Sequence, residues 1–594
     1  MARDGAERSN AKTHPRRSVL VGALVVVVAT YAPFALHWSL VGSSDFDQFA
    51  TFHRIALWWH QLGDRTVTWN PFLCGGATLV GNPQIPLLHP NLLFSALLGP
   101  VNGLGAAFVP WVLAGYFGMR ALARDVGVAP EAATAVAVAW PLCGFFVAHI
   151  GSMHGTFFAF WALPSVAWMH RRIAREGAGL ALALYPFAIA LLAGYNVQFI
   201  AYGLPFVGLH ALFEIAYGAP RRRAIPRLAA YGLAVGLGLG LTGVSLLPTL
   251  AWSREFPRLK APQFVHPVDL LQMIVSPIAL VDFPGDHRAH EYMLTLGPGL
   301  VLLAAWALWR GDARRPALRP VLLTGALSLL TAVGSLEAIG GPPVAPFDLL
   351  RRFAPGFGSV RAPARFLVFG LIPLLLLAGF GWSRWVGTSA RRRTLAWGLA
   401  VVPLVGLAFG YYQWKLYRSI EGVEMRAAAS LAPDFRWAPI GHRRQSYAVL
   451  RPNTGVLDCY DALEIPRAPE LDVDRGLVLE SDVPVEVRRI SWGELEITTS
   501  SSTLGARRVA FNFNHHRGWT VVDADGEARV ASDDGAPLAL ELGPDARRVR
   551  IRHVDPSWTA GVWLSVASAL SALGFAGVVL AVRRRRAHGS PGAG

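Results

Sequence analysis

The segment SSDFDQFATFHRIALWWHQLGDRTVTWNPF, residues 43–72, sets two carboxylates, Asp45 and Asp47, directly after a long apolar run. A carboxylate at the mouth of a membrane helix stays solvated yet faces lipid headgroups. It is also a group that takes a proton in general base catalysis. The plain alternative is a pair of acids that merely flanks a helix end. The residues downstream favour function: an aromatic, histidine-bearing run, then WNPFLCGGATLVGNPQIPLLHPNLLF, whose Trp-Asn-Pro, Gly-Gly and Asn-Pro-Gln steps are fixed turns.

Two further groups have the types and spacing for chemistry. Arg351, Arg352, Arg361 and Arg365 gather between two late apolar runs, and Arg254, Arg258 and Lys260 lie on an earlier connection. A guanidinium fork matches phosphate oxygens. The RAPAR spacing puts Arg361 and Arg365 four apart at a helix start, so both can point to one cleft. The alternative is that arginines near a bilayer snorkel to anionic headgroups. The stretch DFPGDHRAHEYM brings Asp282, Asp286, His287, His290 and Glu291 together. Side chains of these types at this density suit a divalent metal, and the Pro-Gly turn equally suits a loop that lines a site. No other cofactor is indicated. FNFNHHRGWTVVDADGE offers His515, His516 and Trp519, but a Trp among strands is more often core than a ligand platform.

The elements that must position these residues are membrane helices. The chain has 594 residues, 53% hydrophobic and 16% charged, with a mean hydropathy of +0.38. Apolar runs lie near 18–40, 103–122, 131–150, 155–170, 179–194, 197–217, 228–250, 296–310, 319–338, 364–382, 394–413 and 560–582. Backbone polar groups cannot stay unpaired in lipid, so each run is expected to be a helix, about twelve in all. The net charge of +16 is no nucleic-acid face, because its arginines come in short clusters between the runs. With the N-terminus inside and alternating crossings, the clusters at Arg120/Arg124, Arg171/Arg172, Arg221–Arg223, Arg314/Arg315, Arg391–Arg393 and Arg583–Arg586 all fall on the cytoplasmic side. Both termini are then cytoplasmic, and 41–102, 251–295, 339–363 and 414–558 lie outside.

The short run IPLLHPNLLFSALLG at 85–99 is interrupted by Pro86 and Pro90 and reads as an interfacial or re-entrant helix. The basic N-terminus before a long apolar run reads as a retained first helix rather than a cleaved signal. From 414 to 558 the composition changes. Alternations such as Val485-Glu-Val487, Leu495-Glu-Ile497, Val509-Ala-Phe511-Asn-Phe513 and Val549-Arg-Ile551 predict short antiparallel strands in a β-sandwich or β-roll. The expected organisation is a transmembrane core over 1–413, a β-rich domain over 414–558, and a last helix with a basic tail over 559–594. Of the three cysteines, Cys143 sits in an apolar run, and Cys74 and Cys459 share the expected outer side without a spacing that decides their pairing.

The order of Asp45, an aromatic-rich helix, Trp69, Asn70, Pro71, Gly75, Pro83, Gln84 and Pro90 resembles the first outer loop of YfhO-type bacterial membrane proteins of the GT-C glycosyltransferase superfamily. SVRAPARFLVFG at 359–370 and RGWTVVDADGE at 517–527 are similar too, and HEYMLTLGPGL at 290–300 is a looser match. The resemblance implies a GT-C-like core in the bacterial cytoplasmic membrane. It implies sugar transfer outside that membrane, from a polyprenyl-phosphate-linked donor to an envelope glycan or lipid-linked acceptor. It also implies a first-loop acid near the reaction centre, and Asp45 holds the family-like place after Ser43-Ser44. The expected assignment is Asp45 or Asp47 as base, with Arg361, Arg365, Arg351 and Arg352 on the donor phosphate. Trp69, Asn70, Gln84, His287, His290 and Glu291 would line the site, with Asp282 and Asp286 as candidates for a metal. A lipid or glycan transporter and an envelope-assembly scaffold are the rival readings. The first calls for ionisable residues buried mid-helix and for repeat symmetry, and no internal repeat is visible.

Overall fold

The computed structural model describes residues 2–36, 45–62, 68–151, 154–194, 198–255, 261, 263–275, 293–354, 357–360, 362–416, 435–438, 447, 450, 453–457, 467–500, 505–531 and 535–588. Among these, eight helices are long and apolar enough to cross a membrane: Arg17–Leu36, Pro100–Asp125, Pro130–Gly151, Phe199–Gly218, Arg221–Leu241, Pro363–Val386, Ala390–Tyr412 and Pro556–Arg585. Leu180–Ala193, Pro298–Trp309 and Pro316–Ala332 are shorter apolar helices. A helix satisfies its own backbone, which is why such runs fold this way where water is scarce.

Two of the twelve expected runs are not continuous helices. The run at 155–170 is broken into a 3-10 turn at Gly155–Phe157, a single turn at Phe158–Trp161 and a helix from Leu163 to Glu176. Pro164 has no N–H to give to Phe160, and its ring crowds that carbonyl, so the helix restarts there. The run at 228–250 splits at Thr242, whose N–H turns to the Leu239 carbonyl at 3.1 Å. The split lets two backbones touch: a Cβ on Gly243 would stand 3.0 Å from the Gly561 carbonyl oxygen of the last helix.

The segment at 85–99 is not a crossing helix. Asn91–Leu98 is a short helix that ends at Gly99, where φ is +83°, and Pro100 starts the next. The two pack so closely that a Cβ on Gly103 would meet the Ser95 Cα at 2.2 Å. At the opposite ends of the helices, basic residues are paired with acids. Arg171 bonds Asp125 at 2.7 Å and Glu214 at 2.9 Å, Arg384 bonds Asp312 at 2.7 Å, and Arg393 bonds Glu131 at 2.9 Å.

Near the C-terminus two antiparallel four-stranded sheets form a sandwich. Before it lie β1 (Trp69–Asn70) and β2 (Ala77–Thr78), a small hairpin in the first loop, and the parallel pair β3 (Arg436–Ala438) and β4 (Thr454–Val456). The sandwich strands are β5 (Val478–Ser481), β6 (Val485–Ser491), β7 (Glu494–Thr499), β8 (Arg507–Asn514), β9 (Trp519–Ala524), β10 (Ala528–Ala531), β11 (Pro537–Leu542) and β12 (Arg548–His553). One sheet runs β10-β11-β8-β5 and the other β6-β7-β12-β9. Leu495, Ile497, Val549 and Ile551 of one, and Val509, Phe511, Leu538 and Leu540 of the other, are buried. The period-two alternation puts them inside.

The first loop is welded to this sandwich. Trp69 is fully buried, 5.3 Å from the Trp519 ring and 4.9 Å from His553. The Asn514 side chain donates to the carbonyls of Cys74 at 2.6 Å and Gly76 at 2.9 Å. Cys74 and Gly75 hold positive φ there, the turn that aims these carbonyls inward. Cys74 is disulfide-bonded and Cys143 is a free, buried thiol, while Cys459 lies outside the described residues.

Candidate active site

The helix from Asp45 to Leu62 opens on both acids, which favour its positive N-terminal end. Two residues apart on a helix, they face different ways. Asp47 is fully buried and accepts the N–H of Tyr447 at 2.9 Å. Two turns on, the buried Arg54 donates to the carbonyls of Tyr447 at 3.3 Å and Leu450 at 3.2 Å, and its guanidinium covers the Tyr447 ring at 3.9 Å. Asp47 and Arg54 thus hold Tyr447 and Leu450 along the helix.

Asp45 is placed otherwise. Its side chain is 16% exposed and pairs through Oδ2 with Nε2 of the buried His154. The Nδ1 atom of His154 lies 2.8 Å from that of His149, one donating to the other. His149 stacks on Phe157 with ring centroids 4.0 Å apart and planes 17° from parallel. The Arg365 guanidinium lies over the same Phe157 at 4.8 Å and over Tyr202 at 5.6 Å, with Nη1 3.4 Å from Gln198 Oε1. A carboxylate and a cation 320 residues apart in sequence therefore meet through two histidines and one aromatic ring.

Local folding explains each placement. The His154 N–H bonds the His149 carbonyl at 2.9 Å, and the 3-10 turn at Gly155–Phe157 brings Phe157 round onto the same side. Arg365 sits in the 3-10 turn Pro363–Leu367, and only 5% of it is exposed. Tyr202 lies in a π-helical turn, Phe199–Gly203, a strained geometry often found at functional sites. Two other first-loop histidines are structural. His53 meets Ser95 Oγ at 2.6 Å, and burial, then His89, pushes its pKa down to about 3. His89 meets the Leu191 carbonyl at 3.1 Å, and burial pushes it down to about 4.

The other expected site residues scatter. Arg351 is half-buried over Phe347 at 6.0 Å, and Phe347 packs 6.2 Å from Phe366, which touches Tyr202. It stands behind the Arg365 aromatic layer. Arg352 is exposed, over Phe353 at 5.5 Å. Trp69 and Asn70 lie in the seam with the sandwich rather than along the Asp45 cluster, and Asn70 Oδ1 accepts the Phe72 N–H at 3.0 Å to close a turn. Gln84 is buried in a separate turn, where its N–H bonds Asn82 Oδ1 at 2.9 Å. Trp519 is core, 3% exposed. His516 belongs to a seam network in which His553 lies 2.8 Å from it and 2.8 Å from Thr68 Oγ1. Burial, then His516 and His515, holds His553 well below the usual histidine range.

Arg361, Asp282, Asp286, His287, His290 and Glu291 lie outside the described residues. Among the described residues, no group of three or more His, Cys, Asp or Glu side chains is arranged to hold a metal. The sequence reading missed His149, His154, Phe157, Gln198 and Tyr202. The signal was HIGSMHGTFF, residues 149–158, where two histidines five apart interrupt an otherwise apolar stretch.

Comparison with known proteins gives little direct likeness. No family model matches the chain, and no curated protein matches it. Among solved structures it aligns with the arabinofuranosyltransferase AftD from Mycobacteria, a mutant form, at a TM-score of 0.45 and 14% identity. The alignment covers 91% of this chain and 42% of that one, so the chain spans less than half the length of that protein.

Proposed function

We propose that this chain is a multi-pass membrane glycosyltransferase. It moves a sugar from a polyprenyl-phosphate-linked donor to an envelope glycan or lipid-linked acceptor, on the outer side of a bacterial cytoplasmic membrane. The observation that carries the reading is the convergence of Asp45 and Arg365 on the His154–His149–Phe157 cluster.

In this reading the acceptor hydroxyl attacks the anomeric carbon, and its proton passes to Asp45 as the new C–O bond forms. The bond from that carbon to the phosphate oxygen breaks, and the electron pair leaves on the phosphate. Arg365 offsets that growing charge, in a setting where burial strengthens the attraction. His154 holds the Asp45 carboxylate in one rotamer, and His149 fixes which nitrogen of His154 faces it. The direct test is transfer by membranes supplied with labelled polyprenyl-phosphate sugars. Loss of transfer in Asp45→Asn and in Arg365→Gln supports the reading; full transfer by Asp45→Asn ends it.

One observation favours the transporter reading. His170 Nδ1 lies 2.9 Å from His210 Nδ1, and His170 Nε2 lies 2.7 Å from the Tyr185 hydroxyl, which donates to Tyr231 at 3.2 Å. Glu214 and Arg171 are buried beside them. The pair borders a cavity of about 30 Å³, room for a water or two. Ionisable groups at such depth mark conduction paths in many membrane proteins. Transport of a lipid-linked sugar by an Asp45→Asn variant that cannot transfer it would favour this second reading.

A further inference from the structure

Six arginines among the described residues are buried: Arg54, Arg171, Arg227, Arg365, Arg489 and Arg507. Five of them donate to oxygen. Arg54 reaches the carbonyls of Tyr447 and Leu450, Arg171 reaches two carboxylates, and Arg227 reaches the carbonyls of Ala174 and Arg175. Arg365 reaches Gln198, and Arg507 reaches three carbonyls, those of Gly543, Pro544 and Ala546. Arg489 is the exception. It is 7% exposed, and none of its three guanidinium nitrogens has a hydrogen-bond partner among the described residues.

The contrast with its neighbours on the same sheet is sharp. Arg488, Arg548, Arg550 and Arg552 share Glu496 and Glu494 along the outer face. Arg489 stands opposite Leu495, a core residue, and so faces inward. There its guanidinium carbon lies 4.9 Å from the Phe435 ring centre. Phe435 is 6.0 Å from Phe72, and Phe72 is 4.7 Å from Trp492, whose buried indole N–H also has no partner among the described residues. Burial pulls the Arg489 pKa down to about 9, which still leaves it charged at neutral pH. A buried charge with no acceptor is a state that folds avoid, and a fold that supplies acceptors to five such arginines has left one to be filled from outside.

We propose that Arg489, with the Trp492 N–H beside the same aromatic pair, binds a small oxyanion at the seam between the first loop and the sandwich. The group is a phosphate or a carboxylate, since the guanidinium fork donates two parallel bonds to either. Phe435 and Phe72 give the site its apolar side. Entry is feasible because β6 is an edge strand and its pairing shifts register between Arg489 and Ser491. The site is separate from the Asp45 cluster. Trp58, the contact of Phe72 on the opening helix, is thirteen residues on from Asp45, about 20 Å along the axis.

The test uses the full chain in nanodiscs of zwitterionic lipid, with thermal unfolding followed by tryptophan fluorescence. Inorganic phosphate and, separately, glucuronate are titrated against chloride at matched ionic strength. The expected result is a saturable rise in midpoint with at least one of them. That rise is unchanged in Arg488→Gln, lost in Arg489→Met, and half-saturates at least tenfold higher in Arg489→Lys. The anion effective at the lower concentration distinguishes the phosphate from the carboxylate. A wild-type chain that responds to neither overturns the site, as does a rise that survives in Arg489→Met. If Arg489→Met fails to fold, an unchanged half-saturation in Arg489→Lys overturns it instead.

Discussion

The helical part of the molecule holds two histidine pairs of nearly identical geometry that end on different partners. His149 and His154 meet through Nδ1 atoms 2.8 Å apart, and His170 and His210 meet the same way at 2.9 Å. The first pair terminates on Asp45, a carboxylate 16% exposed, and lies one ring away from Arg365. The second terminates on the hydroxyls of Tyr185 and Tyr231, both deep in the helices. An imidazole pair is therefore only as reactive as what closes its ends. In the proposed reading a carboxylate that solvent can reach takes a proton from a substrate, while two buried phenols offer no such base. The chain from Glu214 through Arg171 to Asp125 supports the same contrast, because it couples the second pair to interhelical ion pairs rather than to an open surface.

The largest effect that would separate the two regions is at Asp45. Asp45→Asn keeps the shape and removes the base, so transfer should fall by about 10²–10⁴-fold while thermal stability changes little. Equal loss of transfer from a change at His170 would break the comparison, because it would give both pairs the same role. Next in size is Arg365→Gln, which should lower transfer about 10²-fold by removing charge at the leaving phosphate. If the donor concentration for half-maximal rate moves and the maximal rate does not, Arg365 binds the donor without easing bond cleavage.

A smaller effect separates the two neighbouring acids. Asp47 accepts the Tyr447 N–H in full burial, so Asp47→Asn should cost about 2 kcal/mol of stability through a weakened charged hydrogen bond. Transfer per folded molecule should stay within about twofold of wild type by the same argument. Thermal unfolding and the membrane assay, run on one preparation, read both quantities. A stable Asp47→Asn protein that has lost transfer would move the base from Asp45 to Asp47.

How much of the molecule is legible in its sequence differs between fold and site. Long apolar runs announce helices because lipid leaves the backbone no other partner. The alternations at Val485–Val487 and Val549–Ile551 fall in β6 and β12 because a half-buried strand must alternate. The breaks at Pro164 and Thr242 are harder, since hydropathy averages over a helix that restarts. In the first loop, Asp45 and Asp47 are visible as a pair, but nothing in SSDFDQF says which faces the protein, because that depends on Tyr447, four hundred residues on. Trp69 looks like part of a site and lies buried in the seam. Aromatic bulk reads the same in sequence whether a sugar or a sandwich covers it. His154 escapes a sequence reading because a spacing of five from His149 matches neither a helical face nor a ligand motif. Its meaning comes from where the chain places Asp45.

The smallest effect is also the one that tests the closed pair. Tyr185→Phe removes the hydroxyl that meets His170 Nε2 at 2.7 Å and donates to Tyr231 at 3.2 Å. The ring remains, so packing is kept and only the hydrogen bonds go. The expected cost is about 1 kcal/mol, because a buried imidazole nitrogen loses its partner and the neighbouring cavity can admit a water in its place. Transfer should be untouched if this end of the bundle is structural. A Tyr185→Phe protein of normal stability that loses movement of a lipid-linked sugar would show that the buried pair works as a path.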